Sequence, residues 1–254
     1  MRTFVIAEVA CCHDGEINKA FRLIRLAKEI GCDAVKFQYC SNPEKLAERR
    51  GAQEYLEGYR LLNFPVWWFK ELTEYSQTLA IEWMTSVYLP EDVVTVLPWT
   101  KRVKIASFEA EAPDMIRVLS GLQGVKVIIS LGMDGKEQLW PGVDVAYLHC
   151  VSGYPTPNDQ INLSRIRSWP RTGLSDHTKH PVTGALAVAA GAGIIEFHVR
   201  LWETFPGNAD FLVSRNPEEA REYVELIRLA ETMLWGKQGV QPVEEGMLRY
   251  RVRG

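Results

Sequence analysis

Long apolar runs and clusters of like charge are both missing from this 254-residue sequence. No apolar run approaches the ~18 residues of a membrane span, which argues against a membrane protein. The net charge is −3 and no five like charges occur in a row, so there is no electrostatic footprint for nucleic acid or an anionic membrane. The first apolar stretch meets Glu8 too early for a signal peptide. We therefore expect a cytoplasmic protein whose partner is a small molecule.

Cysteine pairs at metal-binding or disulfide spacing are also missing. The five cysteines are an odd number without any CxxC motif, which supports neither a disulfide framework nor a zinc ribbon. We expect reduced thiols. The adjacent Cys11 and Cys12 precede His13 and would suit a soft metal, but vicinal cysteines rarely bind one ion, so a packed or pocket-lining role is favoured.

Short apolar runs recur throughout the chain instead. Most are continuous rather than alternating, as expected for parallel strands that are covered on both faces. Helical patterns separate most of them, and 46% hydrophobic residues over this length suit one barrel of ordinary size. We predict an α/β fold, a single-domain (β/α)8 TIM barrel over residues 1–254, with a short basic tail from residue 237. The predicted strands are 4–7, 34–37, 81–84, 102–105, 126–129, 145–148, 172–174 and 193–196.

The helical segments between these runs are less uniform. Asn18 is predicted to cap the first helix and Gly31 to end it. Pro65 is predicted to open the next helix, and the residues predicted to face inward are Trp67, Trp68, Leu72, Tyr75 and Leu79. Segment 131–144 is rich in Gly and Pro and leaves room for a single helical turn at most. Further helices are predicted over 112–119, 162–166, 181–190 and 216–235.

Two histidines directly follow the last two apolar runs. In a barrel, His177 and His198 would extend from neighbouring strands into one active site, where two imidazoles can share a divalent metal. The alternative is that each is an ordinary buried histidine held by hydrogen bonds.

Lysines, hydroxyls and carboxylates also collect at strand ends. Lys36 and Lys104 supply charge, and serine and threonine hydroxyls supply short hydrogen bonds, so the set suits a phosphate or carboxylate. Neighbouring carboxylates can move protons. Lysines at strand ends are often simply solvated. For Glu196 two roles stay open from the sequence, the ion-pair partner of a lysine or a catalytic residue.

Seven motifs, in order, resemble those of the N-acetylneuraminate (sialic acid) synthase family, which includes pseudaminate and legionaminate synthases. The first, IAEVACCHDG at 6–15, resembles the family's IAEIGxNHxG opening. The resemblance spans residues 4 to 235. The other motifs are DAVKFQ at 33–38, VKIASFE at 103–109, ISLGM at 129–133, LHCVSGYPTP at 148–157, LSDHT at 174–178 and IEFH at 195–198.

The resemblance implies a phosphoenolpyruvate-dependent condensation on a TIM barrel, with Mn2+ or Mg2+ as cofactor. It implies His177 and His198 as metal ligands, and with them Glu8, Lys104 and Glu109 as catalytic residues, Glu8 being the acid or base. The phosphoenolpyruvate cradle would be Lys36, Ser86, Lys104, Ser107, Ser130 and Ser175. Contacts to the acceptor sugar would come from Gln38, Glu109, Tyr154 and Asp210, and Ser152 is counted with the substrate-binding residues although some members have Asn there.

The sequence departs from the family pattern on the acceptor side. Cys12 replaces the usual Asn, Phe108 replaces a Gly, and Asn208 with Ala209 replaces Gly-Pro. A bulky Phe108 beside Glu109 would narrow the pocket, which argues against N-acetylmannosamine itself. The acceptor is expected to be an N-acetylmannosamine-like or related sugar aldehyde. The product would be a 2-keto-3-deoxy acid of the nonulosonic type.

Most family members carry a C-terminal antifreeze-like domain that reaches into the partner subunit's site, and this chain stops at Gly254. We expect a homodimer in which the basic tail or loop 47–62 covers the partner's mouth, or a separate lid protein. The alternative is a disordered tail and an open site. The tail's basic residues are Lys237, Arg249, Arg251 and Arg253.

Two other functions stay open from the sequence. One is an aldolase or lyase on the same barrel, with Lys104 or Lys36 forming a Schiff base. The other is a non-catalytic binding or regulatory paralogue.

Overall fold

The strands close into a barrel. A computed structural model describes residues 2–122, 124–137, 143–168, 172–234, 236 and 239–252. The eight parallel strands follow sequence order, and β8 pairs with β1 to complete the ring, which confirms the predicted (β/α)8 fold. The strands are β1 Phe4–Ala10, β2 Ala34–Tyr39, β3 Glu82–Val87, β4 Arg102–Ile105, β5 Lys126–Leu131, β6 Asp144–His149, β7 Thr172–Asp176 and β8 Ile194–His198.

Helices surround the barrel in the described part of the chain. They are α1 Ile17–Glu29, α2 Pro43–Arg50, α3 Leu56–Arg60, α4 Trp67–Thr78, α5 Pro90–Val96, α6 Pro113–Ser120, α7 Thr183–Ala189 and α8 Pro217–Leu234. Short 3-10 helices occupy Gln53–Tyr55, Asn158–Gln160, Leu163–Ser168 and Pro242–Tyr250. Among the described helices, none combines the length and apolar character that crossing a membrane requires.

Several local predictions are wrong. Helix α1 begins at Ile17 after an extended Glu16, so Asn18 lies inside the helix and does not cap it. Trp67 is 56% exposed, because it is the first residue of α4 and Trp68 takes the inward position. Helices α2, α3 and α5 were not predicted. The predicted helix at 162–166 is a 3-10 helix, Leu163–Ser168.

Other predictions fall partly outside the described residues. Between β5 and β6, residues 132–137 and 143 form no helix, and 138–142 lie outside the description. The predicted end of the last helix at Trp235, and the tail residues Lys237 and Arg253, lie outside it too.

Two apolar layers position the polar mouth. The large layer lies between strands and helices and includes Val5, Ala7 and Val9 of β1. Because side chains alternate along a strand, Ile6 and Glu8 point into the barrel instead. Ile6 joins an apolar plug inside the barrel, formed by Ile6, Ala34, Met84, Ile128 and Leu148. The polar side chains at the next inward-facing positions, such as Glu8, therefore lie directly above this apolar plug.

Candidate active site

A cavity of about 930 Å³ opens at the carboxyl ends of the strands. The structure places every predicted site residue around it. These are Glu8, Lys36, Gln38, Ser86, Lys104, Ser107, Glu109, Ser130, Ser152, Tyr154, Ser175, His177, His198 and Asp210. A smaller cavity of about 360 Å³, beside Glu82, Arg102 and Lys126 at the strands' amino ends, contains none of them.

Two lysine–serine pairs line the inner part of this cavity. Lys36 Nζ donates to Ser86 Oγ at 2.7 Å, and Lys104 Nζ donates to Ser130 Oγ at 2.7 Å. Lys36 also forms an ion pair with Glu8, its partner in the β1–β2 register. Burial lowers the pKa of Lys36 to about 8, because a charged ammonium is poorly solvated there.

Glu196 lies between the two lysines. Its carboxylate is 3.5 Å from Lys36 Nζ and 4.0 Å from Lys104 Nζ, and it accepts a hydrogen bond from Ser175 Oγ at 2.9 Å. Burial alone would raise its pKa, but the charges of Lys104 and Lys36 outweigh burial and lower the pKa to about 2. A carboxylate that stays ionised is better suited to pair with a lysine than to act as a proton donor.

The two predicted metal ligands face each other across the mouth. The ring centroids of His177 and His198 are 5.5 Å apart. His177 Nδ1 lies 2.7 Å from the Val151 carbonyl oxygen, which makes it the donor nitrogen and leaves the lone pair on Nε2, 3.5 Å from Ser175 Oγ. His198 Nδ1 is buried and has no hydrogen-bond partner in the described residues, the nearest carboxylate oxygen being Asp210 Oδ1 at 3.7 Å.

Both imidazoles are neutral near pH 7. Burial lowers the pKa of His177, and it lowers the pKa of His198 to about 4. Neutral imidazole is the form that binds metal. The described residues contain no group of three or more His, Cys, Asp or Glu side chains around a common ion position, so protein ligands beyond these two are not assembled there.

Sequence reasoning missed Arg50, which closes the outer part of the cavity. Its Nε and Nη2 each donate to one oxygen of Glu109, both at 2.8 Å. The guanidinium also lies over the rings of Tyr88, at 4.9 Å, and Phe108, at 4.7 Å. Because both Glu109 oxygens are bonded to Arg50, Glu109 is better placed to hold this arginine than to transfer a proton.

A sequence signal for Arg50 did exist. Asn42 caps α2 by accepting a hydrogen bond from the Lys45 backbone, Pro43 is the first helical residue, and Gly51 follows the helix with φ +60°. This pattern of Asn, Pro and Gly is typical of a short helix and could have placed Arg50 at its end.

The acceptor side includes a link between distant loops. Cys11 Sγ donates to Asp210 Oδ2 at 2.7 Å and lines the cavity. Asn208 Nδ2 donates to the Cys11 carbonyl oxygen at 2.7 Å, and Asp210 N donates to Asn208 Oδ1 at 3.0 Å. Asn208 thus holds the loop that carries Asp210 against the end of β1.

A parallel barrel with this polar mouth defines a class of metabolic enzymes rather than a single activity. Comparison with known proteins narrows the class. The chain belongs to the NeuB family, whose family model matches residues 23–239. This confirms the family predicted from the motifs.

Similar proteins include named synthases. The chain is 31% identical over 271 residues to the spore coat polysaccharide biosynthesis protein SpsE of Bacillus subtilis, covering 96% of this chain and 72% of that protein. It is 30% identical over 264 residues to the N,N'-diacetyllegionaminic acid synthase of Legionella pneumophila, covering 92% and 74%. A crystal structure of N-acetylneuraminic acid synthetase from Leptospira borgpetersenii, in complex with citrate, matches with a TM-score of 0.86 and 28% identity over 99% of this chain and 92% of that one. The chain is accordingly a phosphoenolpyruvate-dependent condensing enzyme.

Proposed function

We propose that this enzyme condenses phosphoenolpyruvate with a sugar aldehyde, an N-acetylmannosamine-like or related acceptor, to give a nonulosonic 2-keto-3-deoxy acid and phosphate. The main support for the proposal is that two buried lysine–serine pairs and two neutral imidazoles lie in one cavity. The pairs suit an anionic substrate, and the imidazoles suit a divalent cation.

Phosphoenolpyruvate would occupy the inner part of the cavity. The lysines are 2% exposed and already carry hydroxyl partners, so their ammonium groups are fixed rather than freely mobile. Ser107 and Ser152, whose hydroxyl oxygens are 2.8 Å apart, add hydroxyl groups at the rim of the cradle, and Ser175 joins the cradle through its hydrogen bond to Glu196. Fixed donors around an anion cost little reorganisation when it binds.

The residues present fit the proposed Mn2+ or Mg2+. His198 Nδ1 is buried without a hydrogen-bond partner among the described residues. The His177 Nδ1 contact to Val151 leaves the lone pair on Nε2, which lies 3.5 Å from Ser175 Oγ, so each ring offers a nitrogen lone pair. His177 and His198 would hold the ion, with substrate and water as its other ligands. When bound, the ion would supply Lewis-acid polarisation of the acceptor's aldehyde oxygen.

The proposed condensation forms one carbon–carbon bond and breaks the C2–O bond of phosphoenolpyruvate. C3 of phosphoenolpyruvate forms a bond to the aldehyde carbon, and the aldehyde oxygen takes up a proton to become a hydroxyl. Water adds at C2, and its oxygen becomes the C2 carbonyl as the C2–O bond breaks and phosphate leaves with the bridging oxygen. Of the two protons of the water, one balances the proton taken up by the aldehyde oxygen and the other leaves with the phosphate. We assign the proton transfers to Glu8, which lines the cavity and forms an ion pair with Lys36, an ammonium group that can exchange a proton with it. Glu8 Oε1 accepts a hydrogen bond from the Ala10 backbone N–H at 2.6 Å.

A homodimer in which one chain covers the other's mouth belongs to the same proposal. The loop predicted as a lid, residues 47–62, contributes Ala52, Tyr55 and Tyr59 to the cavity of its own chain. No described residue of the tail lines that cavity. The tail carries exposed apolar side chains on Pro242–Tyr250, which makes it the segment better suited to reach a partner chain. A separate lid protein is the other arrangement that would shield the site from water.

The proposal is tested by phosphate release from phosphoenolpyruvate across a panel of aldoses, including N-acetylmannosamine, with and without Mn2+. We expect release that depends on both the acceptor and the metal. Absence of release with every acceptor would contradict the proposal.

A second candidate, a Schiff-base aldolase, is favoured by one observation. Lys36 has its pKa lowered to about 8, and a buried lysine with a lowered pKa is a better nucleophile at neutral pH. Borohydride separates the two reactions, since it traps an imine and the condensation forms none. Covalent labelling of Lys36 or Lys104 in the presence of a carbonyl substrate would favour the aldolase.

A further inference from the structure

A fully buried ion pair lies directly behind the two histidines. Asp176, the last residue of β7, is 0% exposed, and Arg215 is 1% exposed. Arg215 Nη2 donates to Asp176 Oδ2 at 3.1 Å. Asp176 separates Ser175 and His177, both of which line the cavity, so its own side chain points outward to the helical layer.

The carboxylate of Asp176 is saturated by three different parts of the chain. Oδ1 accepts the backbone N–H of Thr178 at 2.8 Å, and Oδ2 accepts the hydroxyl of Tyr223 at 2.6 Å as well as the arginine. Tyr223 belongs to α8, and its ring stacks under the guanidinium, whose carbon is 4.0 Å from the ring centroid. The end of β7 is therefore fixed to the outer helix.

Arg215 also holds the end of β8. Its backbone N–H donates to the carbonyl oxygen of His198 at 2.9 Å. One residue thus contacts His198 through its backbone and Asp176, the neighbour of His177, through its side chain. The two strand ends that carry the imidazoles are joined at this point.

A buried ion pair is weak evidence for stability, because desolvating two charges offsets most of their attraction. Such pairs do fix geometry, and metal sites depend on geometry held by residues that do not touch the ion. We propose that Arg215 is a positioning residue, which through Asp176 and the His198 carbonyl sets the separation of His177 and His198 for a shared divalent cation. This inference rests on the metal site of the proposed function.

The test is Mn2+ affinity, measured on the full chain from the electron paramagnetic resonance signal of free Mn2+. Arg215→Met keeps the aliphatic length and removes the charge, and we expect it to weaken Mn2+ binding by about 10- to 100-fold. Arg215→Lys should restore part of the loss. Tyr223→Phe, which removes one hydrogen bond to Asp176, should weaken binding less.

A second variant covers the case in which an unpaired Asp176 prevents folding. Asp176→Asn combined with Arg215→Met removes both charges, which is far better tolerated than removing one. It should fold and still bind Mn2+ more weakly, since the link between the strand ends is gone.

Arg228→Met is the matched control. Arg228 lies on α8 like Tyr223, and its Nη2 is 2.8 Å from Asp33 at the opposite end of the barrel. It should lose stability without changing Mn2+ affinity. Equal weakening in Arg228→Met and Arg215→Met would show a general loss of stability and overturn the inference.

The remaining outcomes separate this inference from the proposed function. If His177→Ala loses Mn2+ binding while Arg215→Met and the double variant bind like the wild type, only the positioning role is overturned. If the wild type does not bind Mn2+, or binds it as well without His177, the metal assignment fails and the inference fails with it.

Discussion

At the scale of single residues, the imidazoles of His177 and His198 carry the proposed metal chemistry. We expect His177→Ala and His198→Ala each to abolish turnover and to weaken Mn2+ binding, because each removes one of the two proposed protein ligands. Turnover with substrates and Mn2+ affinity are both to be measured. Normal metal-dependent activity in either variant would leave that histidine as an ordinary buried residue.

Lys104 should behave differently from the histidines. Its ammonium donates to Ser130 and to the Ile105 carbonyl, 2.9 Å away, at the inner end of the cavity. Lys104→Ala should mainly raise the KM for phosphoenolpyruvate, since it removes positive charge from the proposed cradle, and should leave Mn2+ affinity close to that of the wild type. A variant with lost Mn2+ affinity and an unchanged KM would reverse the two assignments.

The residues that sequence reasoning found and missed differ in a physical way. His177 directly follows β7 and Lys36 lies within β2, so the barrel geometry alone places them at one mouth. Arg50 lies on a helix that the strand pattern does not register, and Arg215 lies in an irregular segment before α8. Their importance arises from partners distant in sequence, Glu109 and Asp176, and no local pattern shows such pairing.

At the scale of secondary structure, the close packing of β7 against β8 requires a residue without a side chain at position 173. A Cβ on Gly173 would lie 2.0 Å from the Ile194 carbonyl oxygen and 2.7 Å from Leu148 Cδ2. Gly173→Ala should therefore lower the free energy of unfolding by about 1–3 kcal/mol, measured by urea denaturation.

Gly193 provides the control for this packing. A Cβ there meets only the Thr172 carbonyl oxygen, at an ordinary 3.7 Å, so Gly193→Ala should change the free energy of unfolding by less than about 0.5 kcal/mol. Equal effects of the two substitutions on the free energy of unfolding would show that the close contacts at Gly173 do not determine the stability of the β7–β8 packing.

Strands were easier to predict from the sequence than helices. All eight predicted strands overlap observed ones because buried parallel strands are nearly continuous apolar runs. Helices α2 and α3 are short and carry no buried stripe comparable to that of α1, and they were missed. The cavity lining that they add was missed with them, although the capping residues Asn42, Pro43 and Gly51 do indicate α2.

At the scale of the whole molecule, buried neutral histidines make stability depend on pH. Burial lowers the pKa of both His13 and His198 from 6.5 to about 4. Between these values the unfolded chain takes up protons before the folded chain does, so stability is full above pH 6.5 and falls as the pH drops toward 4.

Urea denaturation at pH 7 and pH 5 measures this loss. Each of the two histidines should contribute about 2 kcal/mol to the difference. His13→Gln should reduce the difference by one such contribution, whereas His180→Gln, on an exposed residue, should keep it. An unchanged difference in His13→Gln would mean that His13 is not buried as a neutral group.

Deleting residues 240–254 tests the role of the tail. Val243, Met247 and Tyr250 are exposed in the isolated chain, which is the expected state of a segment that packs on a partner. We expect the deletion to lower both the mass in solution and the turnover. Unchanged mass and turnover would rule out the tail as a lid, and loss of turnover that another protein restores would point to a lid supplied separately.

The central claim is condensation with cleavage of the C2–O bond of phosphoenolpyruvate, and an oxygen label tests it most directly. Phosphoenolpyruvate carrying 18O at the bridging position is incubated with the enzyme, Mn2+ and an accepted aldose, and both products are analysed by mass spectrometry. We expect the phosphate to carry the label, phosphate and 2-keto acid to form in a one-to-one ratio, and neither product to form without the aldose. Label retained in the organic product, or phosphate released without the aldose, would contradict it.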